Sequence, residues 1–278
     1  MPTKEKQKAK APTMDGLLAK ISTTGRNLRP RMILFGGEGE GKTALACQSP
    51  SPIVAMSQGE TGLETLIDRG QLSEVPHFPE IKSWEGLLSA IEELTTQDHK
   101  FQTFVMDSIN GFEDLLYRYV CDRDFNGDRS HRGFLNYMQG YSASTPYWED
   151  MLHRLDRLRE EKNMAIIGIA HAKVATYKSP TTQDYDRIVP AMHQKQWGVT
   201  HKWSDMILLL DRVTVVNEDG NKAKALGGTQ RICRAARCAT WDAKNRHGLP
   251  DEFPLSNNSA AESWKIITDL LKKGKGNG

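Results

Sequence analysis

Residues 36–43 read Gly36, Gly37, Glu38, Gly39, Glu40, Gly41, Lys42 and Thr43, the spacing G-x-x-x-x-G-K-S/T. Glycines tolerate positive φ and let several backbone N–H groups converge on one anion. A lysine closing such a loop meets the β- and γ-phosphates of a nucleoside triphosphate, and the hydroxyl beside it is offered to Mg²⁺. The loop, with Ala44 after it, is therefore assigned to ATP and its Mg²⁺. The alternative is a glycine-rich turn that binds nothing. Against it stands the context, because the apolar run Met32 to Phe35 precedes the loop and the helical stretch Thr43 to Ala46 follows it. Strand, glycine loop and helix N-terminus together form an anion site.

Hydrolysis needs more than a phosphate cradle. A carboxylate near the metal is supplied by Phe104-Val105-Met106-Asp107, where Asp107 ends an apolar strand and joins Thr43 as a metal residue, partly through water, with Ser108 beside it. Asp107 also fits the cap of a helix beginning near Ile109, and the two roles can coexist. A group that orients or deprotonates water is found in Ser57-Gln58-Gly59-Glu60-Thr61-Gly62, where Glu60 follows a second strand. Its plainer reading is the acidic first turn of a helix. In Ile169-Ala170-His171-Ala172-Lys173 a histidine ends another strand, placed either to sense the γ-phosphate or simply to satisfy a strand terminus.

These groups need a sheet whose strands all end on one side. Pro52 to Met56, Thr103 to Met106, Met164 to Ala170 and Met206 to Leu210 are short apolar runs, and amphipathic patterns at Trp84 to Thr95 and Tyr147 to Lys162 separate them. Such alternation predicts an α/β fold, a mostly parallel central sheet flanked by helices. Val213 to Val216 and Thr229 to Ile232 around a turn-rich segment predict an antiparallel edge hairpin, and Ala260 to Leu271 a last helix. Asp122 to Ser144 and Lys173 to Lys202 carry aromatic and basic residues and fit neither pattern. The lysine-rich residues 1–13 and residues 273–278 read as disordered tails around one domain spanning 14–272.

The chain of 278 residues is 38% hydrophobic, enough for a substantial core, and its net charge of +2 falls short of a dedicated nucleic-acid binder. Four cysteines match neither a metal-binding spacing nor a disulfide framework. With no apolar run of membrane-spanning length and no signal-like start, a cytoplasmic protein is expected.

With these stations in order, the sequence resembles the RecA-like P-loop ATPase core, and more narrowly the bacteriophage Sak-group RecA-like single-strand annealing and recombination proteins. The specific part comprises Glu60, Ile169 to Lys173, Asp184 to Arg187, Trp203-Ser204-Asp205 and Ala243-Lys244-Asn245-Arg246 with Gly248-Leu249-Pro250. The resemblance implies a homo-oligomer, ring or filament, with ATP at subunit interfaces, where Lys244 and Arg246 act in trans on the γ-phosphate of a neighbour. Without it, Ala243 to Arg246 reads as an exposed basic turn. It also implies single-stranded DNA held by loops after the fourth and fifth strands, with Lys173, Tyr177, Lys178, Arg187, His193, Lys195 and Trp197 as the contacts. The ribbon carrying Lys222, Lys224, Arg231, Arg234 and Arg237 offers a second basic surface, for DNA or for a subunit. Expected partners are single-stranded DNA and a single-strand binding protein, in phage-infected or prophage-bearing bacteria. The implied function is a DNA-dependent ATPase of recombination or repair. Competing readings are a nucleotide-switched assembly protein and a ring-shaped motor or helicase loader, with a small-molecule kinase last.

Overall fold

Arg31–Gly36 (β1) is almost wholly apolar, as a strand covered on both faces requires. In the computed structural model, which describes Ile21, residues 28–219 and residues 222–275, with side chains left aside at 215–227 and Lys275, it runs through the middle of the sheet. Ala165–Tyr177 (β4) and Met206–Asp219 (β6) flank it, both parallel. Thr103–Asp107 (β3) lies beyond β4, and Pro52–Met56 (β2) beyond β3, again parallel. The other side turns antiparallel: Lys222–Arg234 (β7) pairs with β6, and Glu252–Pro254 (β9) with β7. Two short pairings branch off. Tyr185–Pro190 (β5) folds back on the outer half of β4, and Lys244–Asn245 (β8) pairs with the first residues of β6.

Period-two alternation sorts the strand side chains onto two faces. Ile33, Phe35, Phe104, Met106, Ile166, Ile207 and Leu209 enter one core. Met32, Leu34, Val105, Ile167, Ile169, Leu208 and Leu210 enter the other. Over the first face pack Trp84–Thr96 (α3), Ile109–Asp124 (α4), Gln139–Lys162 (α5) and Gln194–Trp203 (α6). Over the second pack Lys42–Ala46 (α1), Gly62–Asp68 (α2) and Ala260–Lys275 (α7). Helix α3 starts where Ser83 Oγ accepts the Gly86 N–H at 3.1 Å, and it buries Trp84, Leu87, Ala90, Ile91 and Leu94, one apolar stripe. Trp84 stacks on Trp148 of α5 with ring centroids 6.0 Å apart.

The end of the sheet at the carboxyl termini of the parallel strands is built up further. Ile109, directly after β3, lies level with Trp148 and Leu152, whereas Tyr117 meets Tyr141, so α4 and α5 run antiparallel. Both project past the carboxyl ends of the strands, and Arg118 there donates to Gln58 at 2.6 Å.

The parallel sheet, the edge hairpin and the order of helices follow the sequence pattern, but several elements run further than their apolar runs. Strand β4 continues six residues beyond His171 as half of a hairpin, so Lys173 to Lys202 is a hairpin followed by α6, not a loop. Helix α5 begins at Gln139 and carries Pro146 inside it, absorbing the last six residues of the segment 122–144. Helix α7 reaches Lys275, past the start of the tail expected at 273. Residues 1–13, expected to form a disordered arm, and residues 276–278 lie outside the described residues. No helix among the described residues is long and apolar enough to cross a membrane, and all four cysteines are free thiols.

Candidate nucleotide site

The loop between β1 and α1 and the strand ends of β2, β3 and β4 meet around a cavity of about 430 Å³ lined by Gly39, Gly41, Lys42, Thr43, Glu60, Asp107 and His171, among others. Strands β3, β4 and β1 bring these residues together because they are parallel and in register, Asp107 opposite Ile169 and His171 opposite Gly36. Thr43 Oγ1 donates to Asp107 Oδ2 at 2.7 Å. Asp107 is 5% exposed, and burial pushes its carboxyl up to about 6 against the Thr43 hydrogen bond. Lys42 Nζ donates to the carbonyl oxygens of Gly36 and Gly37 at 3.0 and 2.7 Å. Its burial lowers the ammonium pKa, opposed by Asp107, Glu40, Glu60 and Glu38.

Glu60 holds the centre. Ser108 Oγ donates to Glu60 Oε1 at 2.7 Å, and His171 Nε2 stands 3.3 Å from the same oxygen. The His171 hydrogen bond, ahead of that from Ser108, keeps Glu60 below the usual carboxylate range despite partial burial. In return Glu60 raises His171. Ser57 Oγ accepts the Ser108 N–H at 3.2 Å, which fixes the end of β3 against that of β2.

The residues fit a triphosphate with Mg²⁺. Gly39 and Gly41 adopt φ of 77° and 70°, a side chain at Gly39 would meet open space, and the metal pair Thr43 and Asp107 is already in contact. Helix α1 has only five residues. The anion site therefore rests on loop N–H groups and Lys42 more than on a helix dipole.

A family model described as AAA domain (AAA_24) matches residues 28–247, more than half of the chain. The chain belongs to the AAA domain family. AAA domains are ATPases, and the matched residues include the loop, Lys42, Thr43 and Asp107. No curated protein matches the chain. Among solved structures, the crystal structure of the RadB recombinase is similar at 13% identity, covering 84% of this chain and 90% of that one, with a TM-score of 0.44.

The other residues singled out in the sequence are distributed unevenly around this AAA domain. Tyr177 and Lys178 stand exposed at the end of β4. Lys173 Nζ donates to the Met192 carbonyl at 2.8 Å, and Lys195 Nζ to Ser142 Oγ. Arg187 is 7% exposed, with Nη2 donating to the Trp241 carbonyl at 3.1 Å and lying 3.8 Å from Asp242. Trp197 donates to Asp242 at 3.0 Å, and His193 stacks on Tyr141 with centroids 4.0 Å apart. Lys244 and Arg246 sit at the opposite end of the sheet, since β8 pairs with Met206 and Ile207 while the phosphate loop follows Gly36, opposite Leu210. Four residues of strand make this roughly 13 Å. Lys244 Nζ donates to the His201 and Lys202 carbonyls at 2.5 and 3.2 Å, and Arg246 lies 3.8 Å from Asp205.

On the basic ribbon, Arg234 stacks on Trp241 at 4.0 Å and pairs with Glu252, Arg237 is exposed, and Arg231 turns inward instead of forming surface. The side chains of Lys222 and Lys224 are outside those described. Sequence reasoning missed Asn110. Its Oδ1 accepts the His171 N–H at 2.8 Å and its Nδ2 donates to the Ala191 carbonyl at 2.6 Å. The signal was its place in the first turn of α4, two residues after Ser108.

Proposed function

We propose that this chain is a RecA-like, DNA-dependent ATPase that assembles on single-stranded DNA and promotes annealing or strand exchange in recombination or repair, of the kind found in bacteriophages. One observation carries the proposal. Strand β4 holds His171, bonded to Glu60 in the nucleotide site, and six residues later Tyr177, exposed on a hairpin beside Lys178. Bound Mg²⁺ supplies positive charge against the phosphates. Glu60 orients and deprotonates the attacking water, and Ser108 and His171 set the direction of its carboxylate. Thr43 and Asp107 hold the metal, and Lys42 leaves its own loop carbonyls for the phosphates. On the hairpin, Tyr177 stacks on bases at roughly 1–3 kcal/mol each while Lys178 follows the backbone. Lys173 and Arg187 lie on the two strands of that hairpin, and Lys195 and Trp197 follow it on α6 as further contacts for the DNA strand. Lys244 and Arg246, distant from their own loop, act on the nucleotide of an adjacent subunit in a homo-oligomer, ring or filament.

The test is ATP hydrolysis by purified protein with and without single-stranded DNA, across protein concentration and salt, with Lys42→Ala as blank. Stimulation that weakens with salt and rises faster than linearly with protein supports the proposal. A rate indifferent to DNA refutes it. A second reading, a nucleotide-switched assembly in which annealing needs no turnover, is favoured by the two donors on Glu60 Oε1, because that carboxylate can report occupancy to β4 without taking a proton. Annealing by Glu60→Gln at the wild-type rate, with hydrolysis lost, selects it.

A further inference from the structure

Arg231, on β7, is 9% exposed, and a buried guanidinium has to place its donors. Nη2 donates to the carbonyl oxygen of Glu40 at 2.6 Å and Nη1 to that of Ser256 at 3.1 Å. A Cβ at Gly41 would stand 3.0 Å from Nη2, so the loop backbone lies directly on the guanidinium. Lys42 already takes the carbonyls of Gly36 and Gly37. Three loop carbonyls thus face cations of the protein.

In a trans peptide the C=O and N–H of one unit point opposite ways. Tying the Glu40 carbonyl to Arg231 therefore turns the Gly41 N–H to the other side. Gly41 lines the nucleotide cavity, whereas Glu40 and Arg231 do not. We propose that Arg231 is a positioning residue for the triphosphate, fixing the Glu40–Gly41 peptide with its N–H toward the phosphates while staying clear of the nucleotide itself. This rests on the reading of the loop as a nucleotide site. Arg212, opposite Arg231 in the strand register, supplies an internal comparison. Its Nε donates to the Glu40 carboxylate at 3.0 Å, so it grips the same residue by the side chain and leaves the peptide unit alone.

The experiment compares equilibrium binding of ATP, ADP and inorganic tripolyphosphate to wild type, Arg231→Met, Arg231→Lys and Arg212→Gln, with thermal unfolding of each in the absence of nucleotide. Arg231→Met is expected to weaken all three ligands by roughly tenfold or more, the scale of a lost charge-assisted hydrogen bond. Arg231→Lys, whose single ammonium reaches one carbonyl but not both, is expected to keep a near-native unfolding midpoint and recover part of that affinity. Arg212→Gln is expected to stay within about twofold of wild type. Wild-type affinity in Arg231→Met, or in a folded Arg231→Lys, overturns the assignment. So does an equal loss in Arg212→Gln, which would make general charge around Glu40 the cause. Absence of ATP binding by wild type itself, with Lys42→Ala indistinguishable from it, overturns the nucleotide reading and the role of Arg231 with it.

Discussion

Replacing Glu113 by glutamine should make this protein's stability less dependent on pH. Glu113 is 4% exposed on α4 and accepts from Tyr117 Oη at 2.7 Å and from the His193 N–H at 3.0 Å. Burial pushes its carboxyl up to about 7 from an ordinary value of 4.5, against the hydrogen bonds from Tyr117 and His193. A carboxyl whose folded pKa is raised binds its proton more tightly folded than unfolded. Its contribution is thus fully present at low pH and is lost as pH climbs from about 4.5 to about 7. At 1.36 kcal/mol per unit, most of the shift falls between pH 5 and pH 8, about 2–3 kcal/mol. Glutamine keeps the oxygen that both donors use but cannot ionise. Urea unfolding at pH 5, 6, 7 and 8 without nucleotide, at constant m, should find Glu113→Gln gaining about 2–3 kcal/mol on wild type across that range. Asp107, also raised, is common to both proteins and cancels. An equal gap at pH 5 and pH 8 would show that Glu113 ionises in the folded protein as it does unfolded, and the argument from burial would fall.

Glu60→Gln should lower kcat by 10²-fold or more while ATP affinity changes little, and should lower the apparent pKa of His171, read by NMR titration, because the carboxylate hydrogen bond and, with it, the charge that raised it are gone. An unmoved His171 would break the pairing. Arg187→Met should cost about 3 kcal/mol of stability by leaving Asp242 and two carbonyls short of a partner, with the salt dependence of DNA binding unchanged. A shallower salt slope would restore Arg187 as a backbone contact. Gly41→Ala should weaken ATP binding at least tenfold, since φ of 70° disfavours a side chain and its Cβ would press on Arg231. Wild-type affinity there would mean the loop tolerates rearrangement.

The grouping of these residues was legible because they lie in short, contiguous motifs: Lys42 and Thr43 close the loop after β1, Asp107 and His171 end apolar runs, and Glu60 stands four residues beyond another. Parallel registration then forces them together. The hairpin was not legible, since β4 beyond His171 changes from a continuous apolar run to exposed and half-buried residues, and the turn from a parallel to an antiparallel partner leaves no mark in periodicity. Charge misled in a different way. Arg187 and Arg231 read as surface cations because composition counts their charge, while their burial depends on carbonyls of Trp241, Glu40 and Ser256, far off in sequence. Asn110 escaped because its partners Ala191 and His171 are separated from it by more than fifty residues.

Strand β4 belongs to two sheets at once, its first half clamped between β3 and β1 and its second half paired only with β5. From His171 to Tyr177 it runs six residues, or roughly 20 Å of extended chain. Its partner β5 is braced in turn, because Ile188 exchanges backbone hydrogen bonds with Thr240 and Asp242 while Arg187 donates to the Trp241 carbonyl. A load applied at the exposed tip is therefore shared between the central sheet and the segment 240–242.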